Sequence, residues 1–109
     1  MTNFMDFANE IHTLAIEKGW WDDGDNRKFP EIAALIHCEV SEAVEEYRNS
    51  SPNVYLKEGK PEGIGIELAD VIIRVLDYCA REKIDIDNCL TIKHEYNKTR
   101  PYRHGGKKA

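Results

Sequence analysis

Two pairs of acidic residues have a spacing that suits metal binding. Glu39 and Glu42 lie in the stretch HCEVSEAVEEYR, and Glu67 and Asp70 lie in IELADVIIRVLD, three positions apart in each case. Residues three apart on an α-helix project from the same side, and both pairs adjoin apolar positions. Carboxylates at the edge of an apolar core repel one another and lose hydration, so protons or cations must neutralise them. Mg²⁺, which prefers oxygen ligands, suits such a site, with Mn²⁺ as an alternative.

Each pair also has a simpler interpretation. An E-x-x-E pair on a helix commonly belongs to a solvated surface and its salt bridges. Glu46 lies on the same side as the first pair and is a candidate flanking acid, whereas Glu45 points away and is predicted to be a surface charge. Asp77 extends the polar stripe of the second pair by one turn, and it could instead pair with Arg74 or Arg81. The two acidic pairs together, one of them on an otherwise apolar helix, favour the metal site.

Polar residues near the C-terminus could hold an anion. Lys93, Asn97 and Arg100 are spaced four and three apart, so they project from one side of a helix, and Arg103 and His104 follow. A lysine, an amide and a guanidinium are groups that bind phosphate oxygens. The alternative is a solvated helix end on which the lysine pairs with an acidic neighbour.

Two aromatic residues, Trp20 and Trp21, could stack a nucleobase. Tryptophans in a small domain more often close the core, and the sequence leaves both interpretations open. The neighbouring DDGDN, residues 22–26, does not have the ligand spacing of an EF-hand, so we reject a calcium loop.

Helical periodicity and stop signals predict an all-α chain forming one domain over residues 1–109. The first helix begins at Phe4 and stops at Gly19, the second runs from Pro30 to about Arg48, the third covers residues 64–83, and the fourth begins near Asp87, its predicted cap, and ends before Pro101. Residues 49–63 carry Pro and Gly at turn density and match no functional motif. They predict a long loop or a short hairpin, acting as a lid or an oligomer contact. The tail from about residue 104 is expected to be mobile.

The apolar faces of the two acidic helices predict which side chains are buried. The stripe of the second helix consists of Ile32, Ile36, Val40, Ala43 and Tyr47, with Glu39 at its border. One face of the third helix consists of Ile64, Leu68, Ile72, Val75 and Cys79, and further apolar residues cover most of its circumference. Covering such a helix in a chain of 109 residues requires a second subunit, so we expect a homodimer or homotetramer.

Composition excludes several classes of protein. A formal net charge of −5 disfavours binding to duplex nucleic acid, because nonspecific affinity depends on the phosphates neutralised. Cys38, Cys79 and Cys89 make an odd count without a C-x-x-C pair, which favours reduced thiols in the cytoplasm. The N-terminus lacks a secretory signal, and no apolar run is long enough to span a membrane.

In combination, these motifs resemble the MazG-like all-α NTP pyrophosphatase superfamily. The resemblance rests on EVSE (39–42), ELAD (67–70), KHEYN (93–97) and NKTRPYRHGGKK (97–108), and it covers roughly residues 11–107. It implies a four-helix MazG-like bundle completed by oligomerisation. It also implies magnesium-dependent hydrolysis of nucleoside triphosphates, NTP or dNTP, to the monophosphate and pyrophosphate in nucleotide-pool house-cleaning.

The resemblance also assigns residues to roles. Glu39, Glu42, Glu67 and Asp70 would be the metal ligands, Lys93 and Asn97 would hold the phosphates, and Arg100 and then Arg103 are weaker matches. The ions would neutralise the triphosphate and lower the pKa of a water molecule that attacks the α-phosphorus. Either glutamate of the first pair could accept the proton of that water.

A hypothesis from another class is a noncatalytic helical module whose acidic surface binds a basic partner or fixes subunit register. Arg74, which lies within the acidic stripe of the third helix, is the residue that most favours it.

Overall fold

The described part of the chain, residues 3–22 and 27–102 of a computed structural model, is mainly helical, as predicted. It contains α1 (Phe4–Glu17), α2 (Phe29–Arg48), β1 (Tyr55–Lys57), β2 (Lys60–Glu62), α3 (Ile64–Glu82) and α4 (Ile86–Lys98). The predicted mobile tail with Arg103 and His104, and most of DDGDN, lie outside the described residues.

Local signals in the sequence account for most helix ends. The Asn3 side chain caps α1 by accepting a hydrogen bond from the backbone N–H of Asp6. Gly19, with φ of +87°, follows the end of that helix. Pro30 lies in the first turn of α2, where the missing N–H of proline costs no hydrogen bond.

The predicted cap of α4 is wrong by two residues. Asp85 caps this helix by accepting a hydrogen bond from the backbone N–H of Asn88 at 3.1 Å. Asp87 instead accepts hydrogen bonds from the backbone amides of Phe4 and Met5, both at 3.0 Å. Since the first amides of a helix have no partner within it, Asp87 satisfies the start of α1 and ties α4 to it.

Residues 49–63 form the shorter of the two predicted alternatives, a hairpin. β1 and β2 are antiparallel, with Tyr55 opposite Glu62. The Tyr55 hydroxyl lies 3.0 Å from each carboxylate oxygen of Glu46, to which it donates, so the hairpin is tied to α2. One residue, Gly63, separates the end of β2 from the start of α3, so the tie to α2 also holds the chain just before α3.

The core lies where α3 packs against α1 and α2. Its buried apolar residues are Ala8, Trp21, Ile32, Ala43, Leu76 and Cys79. The predicted buried faces are wrong in part for the single chain. Val40 and Tyr47 on α2 and Leu68 and Ile72 on α3 are exposed, whereas Glu39, predicted to lie at the border, is buried. The α2–α3 contact is therefore centred nearer to the acidic residues than the apolar pattern indicates.

None of the helices in residues 3–22 and 27–102 combines the length and the apolar character that a membrane-spanning segment needs.

We predict that Gly63→Ala destabilises the fold more than Gly59→Ala does. Both glycines have positive φ, +118° and +82°, so alanine is strained at either position, at a cost of about 1–2 kcal/mol. Only at Gly63, which precedes α3, would a Cβ overlap backbone atoms of Asn53, whereas the space around Gly59 is open. Urea unfolding should show an additional loss for Gly63→Ala of about 1–3 kcal/mol. Equal losses for the two variants would contradict the close approach.

Candidate functional site

Three carboxylates from two helices converge at the α2–α3 contact. One ligand oxygen from each of Glu39, Glu67 and Asp70 lies within 4.8 Å of the other two. Glu39 is 8% exposed and Glu67 is 9% exposed, which is unusual for ionisable side chains. The three-residue spacing on α3 directs Glu67 and Asp70 to the same side, and the packing of α2 brings Glu39 to them. The arrangement could hold a divalent cation through oxygen ligands.

Glu42 lies at the solvent side of this cluster. It is exposed, and its pKa is raised by a side-chain hydrogen bond with Glu39 and then by the charge of Glu39. Its carboxyl group is also a hydrogen-bonding partner of Glu67. The structure therefore brings all four sequence-predicted metal ligands together. Three of them place one oxygen each within 4.8 Å of the others, and Glu42 is hydrogen-bonded to two of the three.

A second group of carboxylates adjoins the first. Glu46, Glu62 and Glu67 also place one oxygen each within 4.8 Å of the others. Glu46 is the predicted flanking acid, and Glu62 comes from β2. Because Glu67 belongs to both groups, it lies between two positions at which a cation could bind.

The electrostatics of the cluster are unfavourable without a cation. Burial, followed by the hydrogen bond with Glu42 and the charges of neighbouring carboxylates, raises the pKa of Glu67 to about 7. Burial and then the charge of Glu39 raise the pKa of Asp70, and the charges of Arg74 and Lys60 oppose this rise. The cluster thus concentrates negative charge where water cannot fully screen it.

Two cavities meet at the cluster. The acidic cavity, of about 360 Å³, is lined by seven carboxylates and one lysine, Lys60. Glu45, predicted to be a surface charge, is exposed but also reaches this cavity. The apolar cavity, of about 390 Å³, lies between α1 and α3. Glu39 and Asp70 line both, so a ligand could extend from one cavity into the other.

The walls of the apolar cavity combine aliphatic, aromatic and cationic groups. The aliphatic residues are Ile11, Leu14, Ala15 and Ile73. Trp20 contributes an indole ring, Lys18 and Arg74 contribute positive charge, and Glu39, Asp70 and Asp77 contribute carboxylates. The aliphatic and aromatic walls suit a flat, largely apolar group, and the two cations could contact an anionic part of the same ligand.

The two tryptophans have different environments. Trp20 is 42% exposed and lines the apolar cavity, and the guanidinium carbon of Arg74 lies 4.4 Å from the centre of its ring. Trp21 is 9% exposed, and its indole N–H donates a hydrogen bond of 3.3 Å to Asp77. The guanidinium of Arg81 lies 4.4 Å from the centre of the Trp21 ring. Trp21 therefore closes the core, which is the alternative role that the sequence left open.

Asp77 makes a contact that the sequence did not predict. Its carboxylate lies 2.6 Å from Nδ1 of His12 on α1, and it also accepts the bond from Trp21. The aspartate thus fastens α3 to α1 and to the segment after α1. We do not assign it to the metal ligands.

Of the predicted phosphate-binding residues, Lys93 and Asn97 lie on α4 and Arg100 lies just after its end, and none of them lines either cavity. No residue that lines either cavity in the described part of the chain comes from α4. The Lys93 ammonium and the Arg100 guanidinium both contact the Tyr96 ring, at 5.1 Å and 5.8 Å from its centre. Within one chain, the structure does not bring Lys93, Asn97 or Arg100 to the acidic cluster.

Three charged residues that line the cavities, Lys18, Lys60 and Glu62, escape prediction from the sequence. Lys18 has no neighbouring motif, and Glu62 reaches the cluster only because the hairpin folds back before α3. Arg74 was evident as the cation within the acidic stripe, but its pairing with Glu39 depends on how α2 and α3 pack. The feature that could have identified each of them is a charged residue near the end of a helix or strand, or near an acidic motif. Such charges are common on ordinary protein surfaces, so they do not single out a site.

Comparisons of the chain with protein-family models, with curated proteins and with solved structures find no match. The geometry of the cluster and the motifs in the sequence are therefore what support a function.

We predict that, without divalent cations, the free energy of unfolding falls as pH rises from 4.5 to about 7. The folded pKa of Glu67 lies above its ordinary value, so the folded protein binds more protons than the unfolded chain in this window. Glu67→Gln should flatten the dependence, as measured by urea unfolding in the presence of a chelator. The control is Glu10→Gln, an exposed residue on α1 that lines neither cavity, and it should keep the slope. Unfolding free energies that rise with pH in the unmodified protein would contradict the prediction.

Proposed function

We propose that this protein hydrolyses nucleoside triphosphates, NTP or dNTP, to the monophosphate and pyrophosphate in a magnesium-dependent reaction, as the resemblance to the MazG-like superfamily implies. The observation that carries the proposal is that a buried group of carboxylates adjoins an apolar cavity with an exposed aromatic ring. Hard cations at the carboxylates would bind phosphates, and the cavity would accept the base. Neither feature alone would favour a nucleotide over other ligands.

The carboxylates would hold the cations. Glu39, Glu67 and Asp70 form one ligand set, with Glu42 beside it, and Glu46 and Glu62 share Glu67 in a second. Bound Mg²⁺, or Mn²⁺ in its place, would neutralise the triphosphate and lower the pKa of a coordinated water molecule. Two adjacent ligand sets are compatible with a two-ion site.

Glu42 is better placed than Glu39 to accept the proton of the attacking water. Glu39 is buried and paired with Arg74 at 2.8 Å, which engages one of its oxygens. Glu42 is exposed, and its pKa is raised, which brings a carboxylate closer to the range in which a general base works best.

The base would stack on Trp20. Its ring is exposed at the wall of the apolar cavity, and stacking on an aromatic side chain is worth roughly 1–3 kcal/mol per base. Trp21, the other predicted stacking residue, is not part of the proposed base site, because it is buried in the core.

We further propose that the protein is a homodimer or homotetramer in which the MazG-like bundle is completed by a second copy. Its exposed large apolar side chains occur on all four helices, among them Phe7, Val40, Leu68, Ile72 and Ile92. Leu68 and Ile72 lie one turn apart on α3 and so form adjoining exposed apolar surface, which favours an interface. A second copy could also supply Lys93, Asn97 and Arg100, which lie away from the acidic cluster in one chain. The cytoplasmic location remains a prediction from the cysteine content.

A noncatalytic interaction module is the second candidate. The observation that favours it is the ion pair between Arg74 and Glu39, because this cation already neutralises one proposed ligand. In that case the acidic cavity would bind a basic partner, and nucleotides would not be turned over.

We predict magnesium-dependent release of pyrophosphate and monophosphate when the protein is incubated with a panel of NTPs and dNTPs. Glu42→Gln and Asp70→Asn should each lower kcat/KM by at least about 100-fold, because removing a group that only hydrogen-bonds to a metal ligand already lowers metal affinity or activity about 10- to 100-fold. Coupled detection of pyrophosphate measures both effects.

The matched control for these variants is Glu45→Gln, which removes an exposed carboxylate of the same cavity that belongs to neither ligand set. It should keep kcat/KM within a few-fold of the unmodified protein. Absence of metal-dependent turnover on every nucleotide would refute the enzyme and favour the interaction module. Full turnover in Glu42→Gln or Asp70→Asn would refute the assigned site.

We predict a mass of at least two chains by light scattering at micromolar concentration. Ile72→Glu, which places a charge on an exposed apolar position of α3, should shift the mass toward one chain. Lys83→Glu, at an exposed position between α3 and α4, is the control for a charge change outside the apolar faces. A monomeric mass for the unmodified protein would contradict the oligomer.

A further inference from the structure

Arg74 lines the apolar cavity and is hydrogen-bonded to Glu39, a residue that lines both cavities. Its Nε donates a hydrogen bond of 2.8 Å to Oε1 of Glu39, one of the three converging carboxylates. Its guanidinium carbon also lies 4.4 Å from the centre of the Trp20 ring, and Arg27 approaches the same ring at 5.8 Å. One cation thus contacts a proposed metal ligand and the proposed base-stacking residue at once.

A divalent cation would compete with Arg74 for Glu39. Arginine cannot lose its proton in this pH range, so its charge remains when the ion arrives. Two positive groups sharing one carboxylate repel each other, and the repulsion is strong where both are screened from water. Arg74 must then either weaken the binding of the ion or find another anion.

The position of Arg74 gives it access to another anion. It lines the apolar cavity together with Lys18, and its contact with Trp20 keeps the guanidinium plane beside that cavity. A guanidinium has five N–H donors, of which the hydrogen bond to Glu39 uses one. Two oxygens of one phosphate can each accept a hydrogen bond from the same guanidinium. A nucleotide in the cavity could therefore accept the hydrogen bonds of Arg74 in place of Glu39.

We propose that Arg74 couples the binding of the nucleotide to the binding of the divalent cation. In the protein without ligands, Arg74 neutralises the charge of Glu39. When the cation binds Glu39, Arg74 donates hydrogen bonds to phosphate oxygens of the nucleotide instead. This role rests on the proposed function, because it requires a cation at Glu39 and a nucleotide in the apolar cavity. By thermodynamic linkage, each ligand then raises the affinity for the other by the same factor.

The test is calorimetric titration of the full chain with Mn²⁺, with and without a nucleoside triphosphate analogue whose α,β-bridge cannot be hydrolysed. In the unmodified protein, the analogue should tighten Mn²⁺ binding by about 5- to 150-fold, the usual range for coupled sites. Arg74→Gln should bind Mn²⁺ alone at least about 5-fold more tightly than the unmodified protein, because no cation competes for Glu39. In this variant the analogue should tighten Mn²⁺ binding at least about 3-fold less than it does in the unmodified protein, and the coupling that remains comes from direct contact of the ion with the phosphates.

Arg74→Lys keeps a charge for Glu39 but lacks the paired donors for phosphate, so it tests the role if the glutamine variant does not fold. It should bind Mn²⁺ alone within about 2-fold of the unmodified protein and show coupling at least about 3-fold smaller. Arg48→Gln is the control, since Arg48 is exposed at the end of α2 and lines neither cavity.

Two results would overturn the role of Arg74, and they differ in what they imply. Coupling in Arg74→Gln or Arg74→Lys equal to that of the unmodified protein would overturn this role and leave the metal site intact. Failure of the unmodified protein to bind Mn²⁺, with or without the analogue, would overturn the proposed function and the coupling together.

Discussion

Like-charged carboxylates are buried between α2 and α3, at the contact that joins the two longest helices. Glu39 and Glu67 lie where apolar residues would stabilise the fold more, and the pKa of Glu67 is raised to about 7 as a result. Arg74 offsets part of this cost at Glu39. An arrangement that opposes folding in this way is typical of a ligand site, because its unfavourable electrostatics become favourable when a cation binds.

Several local features hold the carboxylates in register. Gly63 lets the chain pass close to Asn53 at the start of α3, which fixes where this helix begins and therefore where Glu67, in its first turn, lies. Tyr55 fastens the hairpin to Glu46, and the same hairpin delivers Glu62. These contacts belong to the loop that lacked any functional motif in the sequence, so this loop acts on the site by positioning it.

The sequence predicts the helices well and their contacts less well. Periodicity, Gly19 and Pro30 locate α1 and α2, since these signals are local. Apolar spacing did not predict that Glu39 is buried while Tyr47 is exposed, because the contact with α3 selects which side of α2 faces inward. The local sequence likewise could not predict which of Trp20 and Trp21 is buried, because this depends on the tertiary packing. The spacing of the acidic pairs did identify four carboxylates that meet, because helix geometry fixes each pair and a single contact joins them.

Binding of divalent cations between α2 and α3, beside a bound nucleotide, can be tested by anomalous diffraction from a crystal grown with Mn²⁺ and the non-hydrolysable nucleotide analogue. We expect an anomalous peak bonded to carboxylate oxygens of Glu39, Glu67 and Asp70, with the base against Trp20. A crystal containing the nucleotide with its Mn²⁺ bound elsewhere, and no peak at these carboxylates, would contradict it.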